Sequence, residues 1–194
     1  MAKTLVSIIH RPVFPTPAGL IVSIDKNKKP NVMTAGEIFN IGLRNPTIIG
    51  IALRKATYTH GLITESRQFT ANMTTASIID IVDIVGTVSG RDGLDKFKEF
   101  GLTPLPSSMI DAPIVEECPV NMECKLLSVS EVGDHDLFLG HVVAMHVDSD
   151  KLDDNGRVDI DKIDGLLFAE WSYFAFGKKL GVRGYSKSKY FPAG

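Results

Sequence analysis

Cysteine is scarce in this chain, and features typical of secreted, membrane-spanning or nucleic-acid-binding proteins are missing. Cys118 and Cys124 are the only cysteines in 194 residues, too few for a disulfide framework. The first apolar run, residues 5–9, is too short to span a bilayer or form a signal core. The net charge of −2 gives no overall field that would attract nucleic acid or an acidic membrane. We therefore expect a cytoplasmic protein without nucleic-acid or membrane partners.

The common nucleotide-binding and metal-binding motifs are also missing. No Gly-x-Gly-x-x-Gly segment follows a predicted strand, and there is no Walker loop. The acidic segment 153–156 resembles a calcium loop, but Lys151 and Lys162 would then occupy its first and last ligand positions. The two cysteines and five histidines lack the spacing of a zinc site. We expect no metal centre, and no motif marks a hydrolase.

Short apolar runs separated by turn residues predict a mainly β protein. The length favours one domain, residues 1–194, with a substantial core. Strands are predicted at 19–25, 31–35, 47–53, 69–73, 121–126 and 137–147. Helices are predicted at 58–66, 77–85 and 92–100, although the β-branched content of 77–85 leaves a strand open there. The proline-rich segment 103–119 reads as an irregular connection. The pattern indicates an antiparallel barrel of six or seven strands with two or three outer helices.

The last predicted strand, residues 137–147, is apolar on both faces. A barrel interior can bury only one face of a strand. Its outer face, assigned here to Phe138, Val142 and Ala144, then needs a cover, either a helix or a second subunit. We expect a homodimer on this ground. In the preceding strand, strict alternation gives Cys124 a packing role.

Two polar loops contain the candidate binding groups. Residues 54–59 hold two fixed positive charges and two hydroxyl groups, on Arg54, Lys55, Thr57 and Thr59. Such a cluster suits a phosphate, since charge-assisted hydrogen bonds are the strong ones; the alternative is a solvated surface turn. Residues 34–36 are small and end without a Cβ atom, so they allow a flat ligand to approach closely, beyond their role in a hairpin.

Eight short segments occur in an order and spacing that match a known family. They are 17–22, 31–35, 54–59, 69–72, 89–97, 123–126, 133–140 and 173–177. Over nearly its whole length the chain resembles the flavin reductase-like FMN-binding split-barrel family, and within it the flavoredoxin and archaeal ferric-reductase branch. The resemblance implies an antiparallel Greek-key split β-barrel with FMN as the cofactor.

The resemblance also implies roles for individual residues. The ring and ribityl chain would be bordered by Asn31, Thr34, Ala35 and Gly36. The phosphate would be contacted from the set Arg54, Lys55, Thr57, Thr59 and Lys96, with Asn72 supporting the loop. His135 would approach the cofactor near the subunit boundary, from the same chain or its partner. Relatives often carry Trp where this chain has Glu37, which puts substrate choice and redox tuning in question.

Three functions follow from this resemblance. The first is an oxidoreductase that uses NAD(P)H to reduce FMN and then a flavin, a ferric chelate or another acceptor. The second is an FMN electron carrier with redox protein partners and no nicotinamide site. The third is a flavin-free interaction module on the same barrel. No catalytic acid or base is assigned, because flavin chemistry needs little acid–base machinery from the protein.

The C-terminal part of the chain is rich in aromatic and then in basic residues. Five aromatic residues lie within nine positions: Phe168, Trp171, Tyr173, Phe174 and Phe176. We expect most of them to pack in the core and one to lie over an aromatic ligand. Five basic residues follow, at Lys178, Lys179, Arg183, Lys187 and Lys189. They form either a solvated tail or a contact for the phosphates of a nicotinamide nucleotide.

Overall fold

A seven-stranded antiparallel sheet forms the body of the protein, and the computed structural model describes residues 1–190. The strands are β1 (Thr16–Pro17), β2 (Gly19–Ile24), β3 (Pro30–Ala35), β4 (Ile38–Leu43), β5 (Thr47–Arg54), β6 (Gln68–Met73), β7 (Pro104–Leu105), β8 (Ile114–Val115), β9 (Val120–Val132), β10 (His135–Val147), β11 (Leu166–Ala169) and β12 (Ser172–Ala175). The helices are α1 (Tyr58–Ser66), α2 (Ile79–Thr87), α3 (Lys96–Phe100) and α4 (Lys187–Tyr190). Short 3-10 turns occur at Ala76–Ile78, Ser149–Lys151 and Ile160–Lys162.

The large sheet curls into a barrel around one buried apolar cluster. Its strand order is β3-β2-β6-β9-β10-β5-β4, with every neighbouring pair antiparallel. All seven strands contribute to the cluster, including the two outermost, through Ala35 of β3 and Ile38 of β4. The Ala52 amide of β5 donates at 3.0 Å to the carbonyl of Glu37, which lies in the short connection from β3 to β4. The predicted antiparallel Greek-key split barrel is confirmed.

A second apolar layer covers the outer face of β2 and β3. Leu20 and Val22 of β2 pack there with Val82 and Val85 of α2 and with Phe97 of α3. Because both of its faces are covered, all six residues of β2 are buried. The helices predicted at 58–66 and 77–85 are confirmed. No helix within residues 1–190 has the length and apolar content needed to cross a membrane.

Helix α3 is shorter than the sequence predicted. The prediction of a helix over 92–100 is wrong for its first four residues, because Asp95 is the N-cap and accepts a hydrogen bond from the Lys98 amide at 3.2 Å. Gly93 has φ +89° and lies in the preceding turn. Leu94, in the same turn, is 37% exposed. Gly101 follows the last helical residue in the left-handed conformation with φ +68°.

The prediction of which face of β10 points into the barrel is also wrong. Phe138 is fully buried in the barrel interior, opposite Ile51 of β5, and Val142 packs against the same cluster. Since both faces of this strand are apolar, alternation alone could not show which face points inward. Three of the exposed large apolar side chains lie on β4, an edge strand that the sequence did not predict; they are Phe39, Ile41 and Leu43.

A small second sheet brings the aromatic C-terminal segment next to the barrel. Its order is β1-β11-β12, and β11 and β12 form a tight hairpin that the sequence did not predict. Glu170 in the hairpin turn has φ +55°, a conformation that is unusual for a residue with a side chain. The hairpin points Phe168, Trp171 and Tyr173 toward the end of β3.

The proline-rich connection is fastened to β9 by one buried carboxylate. Glu123 is fully buried and accepts hydrogen bonds from the Ser108 amide at 2.7 Å and hydroxyl at 2.8 Å. It also accepts from the Met109 amide at 2.7 Å and from His146 Nε2 at 2.6 Å. Burial alone would raise the pKa of Glu123, but the bonds from Ser108, His146 and Met109 outweigh it and lower the pKa to about 2. The segment 103–119, predicted to be irregular, therefore has a fixed course on the sheet.

Candidate functional site

A continuous cleft lies between the end of β3, the loop after β5, helix α2 and the β11–β12 hairpin. Its wide compartment has a volume of about 380 Å³ and its narrow compartment about 220 Å³. The two share the lining residues Met33, Thr57, Gly86 and Thr87. All predicted site residues line this cleft except Lys55 and Asn72. Two larger depressions, about 560 and 1090 Å³, lie elsewhere on the described surface and include none of them.

The narrow compartment is lined by amide and hydroxyl groups from β3 and α1. Asn31 Nδ2 donates to Thr59 Oγ1 at 2.9 Å, and both residues are buried. Asn31 Oδ1 is buried without a hydrogen-bond partner among the described residues. Gly90 lies against this oxygen, where a Cβ atom would collide with it. An unpaired buried acceptor costs free energy, so it favours a ligand that brings a hydrogen-bond donor.

Lys96 is the cation of the narrow compartment. The residue is 4% exposed, and its ammonium donates to the Val32 carbonyl at 2.9 Å and the Val85 carbonyl at 2.7 Å. An ammonium group has three donors, so one remains for a ligand. Burial lowers the pKa of Lys96 to about 8. No acidic side chain is among the described residues that line this compartment.

Arg54 and His135 meet at the edge of the wide compartment through strand pairing. Arg54 ends β5, His135 begins β10, and the two are direct cross-strand partners. Thr57 caps α1: its hydroxyl donates to the Arg54 carbonyl at 2.9 Å and accepts from the His60 amide at 3.4 Å. Within residues 1–190 the Arg54 guanidinium forms no ion pair closer than 4.0 Å. Its charge is therefore available to a ligand.

Arg91 holds this loop in place, a role that sequence reasoning missed. Its guanidinium donates to the Ala56 carbonyl at 2.9 Å and so connects the turn before α3 to the loop after β5. Ser89 and Gly90 of the same turn line the narrow compartment. The matched segment 89–97 was the available signal, but only Lys96 was taken from it as a site residue.

The wide compartment has flat walls. Phe168 and Tyr173 pack with their ring centroids 5.0 Å apart, and Trp171, 77% exposed, lies at the rim. The Tyr173 hydroxyl donates to Asp83 of α2 at 3.2 Å; burial, and then the Asp83 charge, raise the pKa of Tyr173 to about 12. The expectation that most of the five C-terminal aromatic residues pack in the core is wrong, because Trp171, Phe174 and Phe176 are exposed. Phe168, Trp171 and Tyr173 line this compartment instead.

Residues 34–36 also line the wide compartment. Thr34 donates its hydroxyl to the Val82 carbonyl of α2. A Cβ atom on Gly86 would lie 3.0 Å from Thr34 Cβ, so the missing side chain lets α2 approach the strand. A Cβ atom on Gly36 would lie 2.6 Å from Arg11 Nη2, so this glycine makes room for an arginine of the N-terminal segment.

Glu37, the position where relatives often carry Trp, is paired with that arginine. Arg11 Nη2 donates to Glu37 Oε1, and the guanidinium carbon lies 4.7 Å from the centroid of the Phe168 ring. Both charged residues line the wide compartment. No signal in the sequence connects Arg11 to residues 37 and 168, because these contacts bridge distant parts of the chain.

Lys55 and Asn72 lie outside the cleft. Lys55 Nζ is 3.0 Å from Glu131 Oε2 and 3.5 Å from the carboxylate of Asp136, on the side away from the cleft. Asn72 is buried in β6, where Nδ2 donates to the Leu20 carbonyl at 2.9 Å. Its Oδ1 accepts from the Val115 amide at 3.2 Å and Asn121 Nδ2 at 3.0 Å. The structure thus gives Asn72 a role in joining strands and Lys55 one in surface ion pairing.

The arrangement suits a ligand with an anionic end and a flat end. The narrow compartment offers the Lys96 ammonium and hydroxyl groups, while the wide compartment offers aromatic and small-residue walls with Arg54 at its edge. The titratable Tyr173 is held by Asp83 with a raised pKa, so it is poorly placed to act as an acid near neutral pH. The cleft is built for binding and orienting a ligand.

Comparisons with known proteins agree with this description. Residues 10–176 match the family described as "Flavin reductase like domain". Among curated proteins, an uncharacterised protein of Archaeoglobus fulgidus is 34% identical over 149 residues, which cover 77% of this chain and 81% of the relative.

Two solved structures share the fold. Flavoredoxin of Desulfovibrio vulgaris (Miyazaki F) is similar with a TM-score of 0.86 and 34% identity, covering 96% of this chain and 100% of that one. An FMN-binding protein from Thermus thermophilus has a TM-score of 0.76 and 26% identity, covering 94% of this chain and 97% of that one.

Proposed function

Because the chain belongs to the flavin reductase-like family, we propose that its cleft binds FMN and that the protein is an oxidoreductase acting through this flavin. The observation that carries the proposal is the division of the cleft into a compartment lined by the Lys96 ammonium and hydroxyl groups and one with aromatic walls. FMN has the same division, with a phosphate at one end and a flat ring at the other. The names of the flavoredoxin and the Thermus FMN-binding protein support the choice of cofactor.

The residues present fit this cofactor. Arg54 and the free donor of Lys96 would hold the phosphate, which is close to doubly charged near neutral pH. The unpaired Asn31 Oδ1 matches a hydroxyl donor, which the ribityl chain supplies. The flat ring would lie in the wide compartment, which residues 34–36 and Phe168 both line.

The chain's own residues would bind FMN, orient it and shield it from water. When bound, FMN would supply the electron-transfer chemistry itself. Phe168 and Tyr173 restrict water at the inner wall, and Tyr173 is fixed there by Asp83. His135, at the edge of the cleft, is the side chain placed to meet a second substrate.

For the electron donor we propose NAD(P)H, with a flavin, a ferric chelate or another small acceptor receiving the electrons. An electron carrier with a redox protein partner is the second candidate, supported by the similarity to flavoredoxin. A flavin-free interaction module is the third candidate, and loss of the flavin would leave the Asn31 acceptor unpaired.

The deciding experiment follows Trp171, the only tryptophan of the chain and one that lies at the rim of the cleft. FMN added to the apoprotein should quench its fluorescence with a saturable, one-to-one dependence. The holoprotein should then bleach when NADH or NADPH is added without oxygen. Absence of quenching would reject the flavin site, whereas binding without bleaching would favour the electron carrier.

We predict that FMN binding weakens as pH rises through about 8, where Lys96 loses its proton. The protonated amine favours the phosphate, so affinity should be full at pH 6–7 and fall about tenfold or more by pH 10, the effect of one charged hydrogen bond. Isothermal titration at several pH values measures this. Lys96→Met should bind weakly at all these pH values, while Lys98→Met, an exposed neighbour on α3, should behave like the wild type.

Riboflavin, which lacks the phosphate, provides the second control. The affinity for riboflavin should not change as Lys96 loses its proton. A pH dependence shared by FMN and riboflavin would place the cause outside the phosphate contact.

We also infer a homodimer, now on the basis of β4. Phe39, Ile41 and Leu43 are exposed on an edge strand, and Leu43 is 72% exposed. Exposed apolar edges tend to associate. Light scattering at micromolar concentration should give twice the 21.2 kDa chain mass. Ile41→Asp should shift the protein to monomer, while Met109→Asp, an exposed apolar site on the proline-rich connection, should not. A monomeric wild type would contradict the inference.

A further inference from the structure

Arg11 places a positive charge at the aromatic end of the cleft. Its guanidinium lies over Gly36, against the Phe168 ring, and is paired with Glu37. The backbone of Arg11 has φ +41°, an uncommon conformation for a residue with a side chain. Such conformations persist where surrounding contacts fix them and are frequent at functional sites.

The adjacent residue fastens the same segment. His10 stacks on Trp171 with centroids 4.7 Å apart and rings within 9° of parallel, and its Nδ1 lies 3.3 Å from Glu170 Oε2. The N-terminal segment is therefore attached to the β11–β12 hairpin on one side and to Glu37 on the other. Arg11 is held at the cleft by contacts from both sides.

The guanidinium keeps donors for a ligand. An arginine has five N–H donors, and among residues 1–190 Glu37 is the one hydrogen-bond partner found for the Arg11 side chain. The side chain is 25% exposed, and its open side faces the wide compartment. These donors lie in the wide compartment, whereas Lys96 lines the narrow one.

We propose that Arg11, held by Glu37, is a positioning residue that binds the electron-rich edge of the flavin ring and favours its reduced state. This inference rests on the proposed FMN site. Two-electron reduction with uptake of one proton leaves the ring with one additional negative charge. A nearby cation stabilises that charge, and a nearby anion opposes it.

The other charged groups of the wide compartment do not replace this pair. Asp83 is engaged by the Tyr173 hydroxyl, and Arg54 and His135 lie together at the β5–β10 edge. Arg11 and Glu37 therefore form a pair of opposite charges whose separate removal should have opposite effects on the flavin. If the pair served only to anchor the N-terminal segment, removing either Arg11 or Glu37 would change the flavin in the same direction.

The test is a dye-equilibrated redox titration of the FMN-loaded protein, with dithionite supplying the electrons. Arg11→Gln should reduce the preference for reduced over oxidised FMN about tenfold, which lowers the two-electron potential by about 30 mV. Glu37→Gln should raise the potential by a similar amount. Arg11→Lys, which keeps the charge, should remain between Arg11→Gln and the wild type.

The double variant Arg11→Gln/Glu37→Gln is the matched control, because it restores charge neutrality without the contact. Its potential should lie close to that of the wild type. Shifts of equal sign in the two single variants, or an unchanged potential in either, would overturn the proposal. A wild type that binds no FMN would instead reject the cofactor site, so the two failures are distinguishable.

Discussion

Replacing Arg54 by Ala should weaken FMN binding about ten- to hundredfold, with little effect on riboflavin. The change removes the fixed charge at the start of the loop after β5, and hydrogen bonds to charged groups contribute about 1.5–3 kcal/mol. Since the Arg54 guanidinium forms no ion pair with the described residues, its loss leaves no buried partner unpaired. The substitution should therefore lower the affinity for FMN and leave the stability of the apoprotein nearly unchanged.

Lys55→Ala is the matched control for this variant. It removes a positive charge from the next residue, which contacts Glu131 and Asp136 away from the cleft. Exposed ion pairs contribute little, so FMN affinity should change less than about threefold. Trp171 fluorescence measures both ligands in both variants. Equal losses for FMN and riboflavin in Arg54→Ala, or a larger loss in Lys55→Ala, would move the phosphate away from Arg54.

The barrel could be predicted because its strands alternate and its turns carry turn residues. The sequence of β9 alternates between polar and apolar residues around the buried Cys124, and Gly133 with φ +60° lies at the turn to β10. The facing of β10 could not be predicted, since Phe138 and its neighbours are apolar on both sides. It is decided by the partner strand, where Ile51 lies opposite Phe138.

The candidate site could be predicted only where its residues are close in sequence. Residues 34–36 and 54–57 were found from local patterns, but the pairing of Arg54 with His135 depends on strand register. Arg54 and Lys55 look equivalent in sequence, yet only Arg54 lines the cleft, while Lys55 pairs with Glu131 and Asp136. Arg11 was missed because its partners, Glu37 and Phe168, are brought to it by the tertiary fold.

Glu123→Gln should destabilise the protein by about 3 kcal/mol at pH 7 while leaving the cleft intact. The carboxylate accepts four hydrogen bonds, from Ser108, Met109 and His146, in a fully buried position. A glutamine keeps one acceptor oxygen and turns an NH₂ group toward groups that donate. The lowering of its pKa from 4.5 to about 2 corresponds to about 3 kcal/mol of folding free energy.

The pH dependence has a definite sign. A carboxyl whose pKa is lower in the folded state stabilises the fold above its unfolded pKa, so the contribution of Glu123 is complete above about pH 5. It is lost as pH falls from 4.5 toward 2, where the folded carboxyl is also protonated. The stability difference between wild type and Glu123→Gln should therefore be largest at neutral pH and shrink in acid.

Denaturant unfolding at a series of pH values measures this difference, with Glu131→Gln as the control. Glu131 is 83% exposed in its pair with Lys55, so its replacement should cost less than about 1 kcal/mol. Equal unfolding midpoints for wild type and Glu123→Gln at pH 7 would show that the proline-rich connection does not depend on this carboxylate. A difference that persists unchanged at pH 3 would assign the cost to the changed shape of the side chain, because the charge would by then contribute much less.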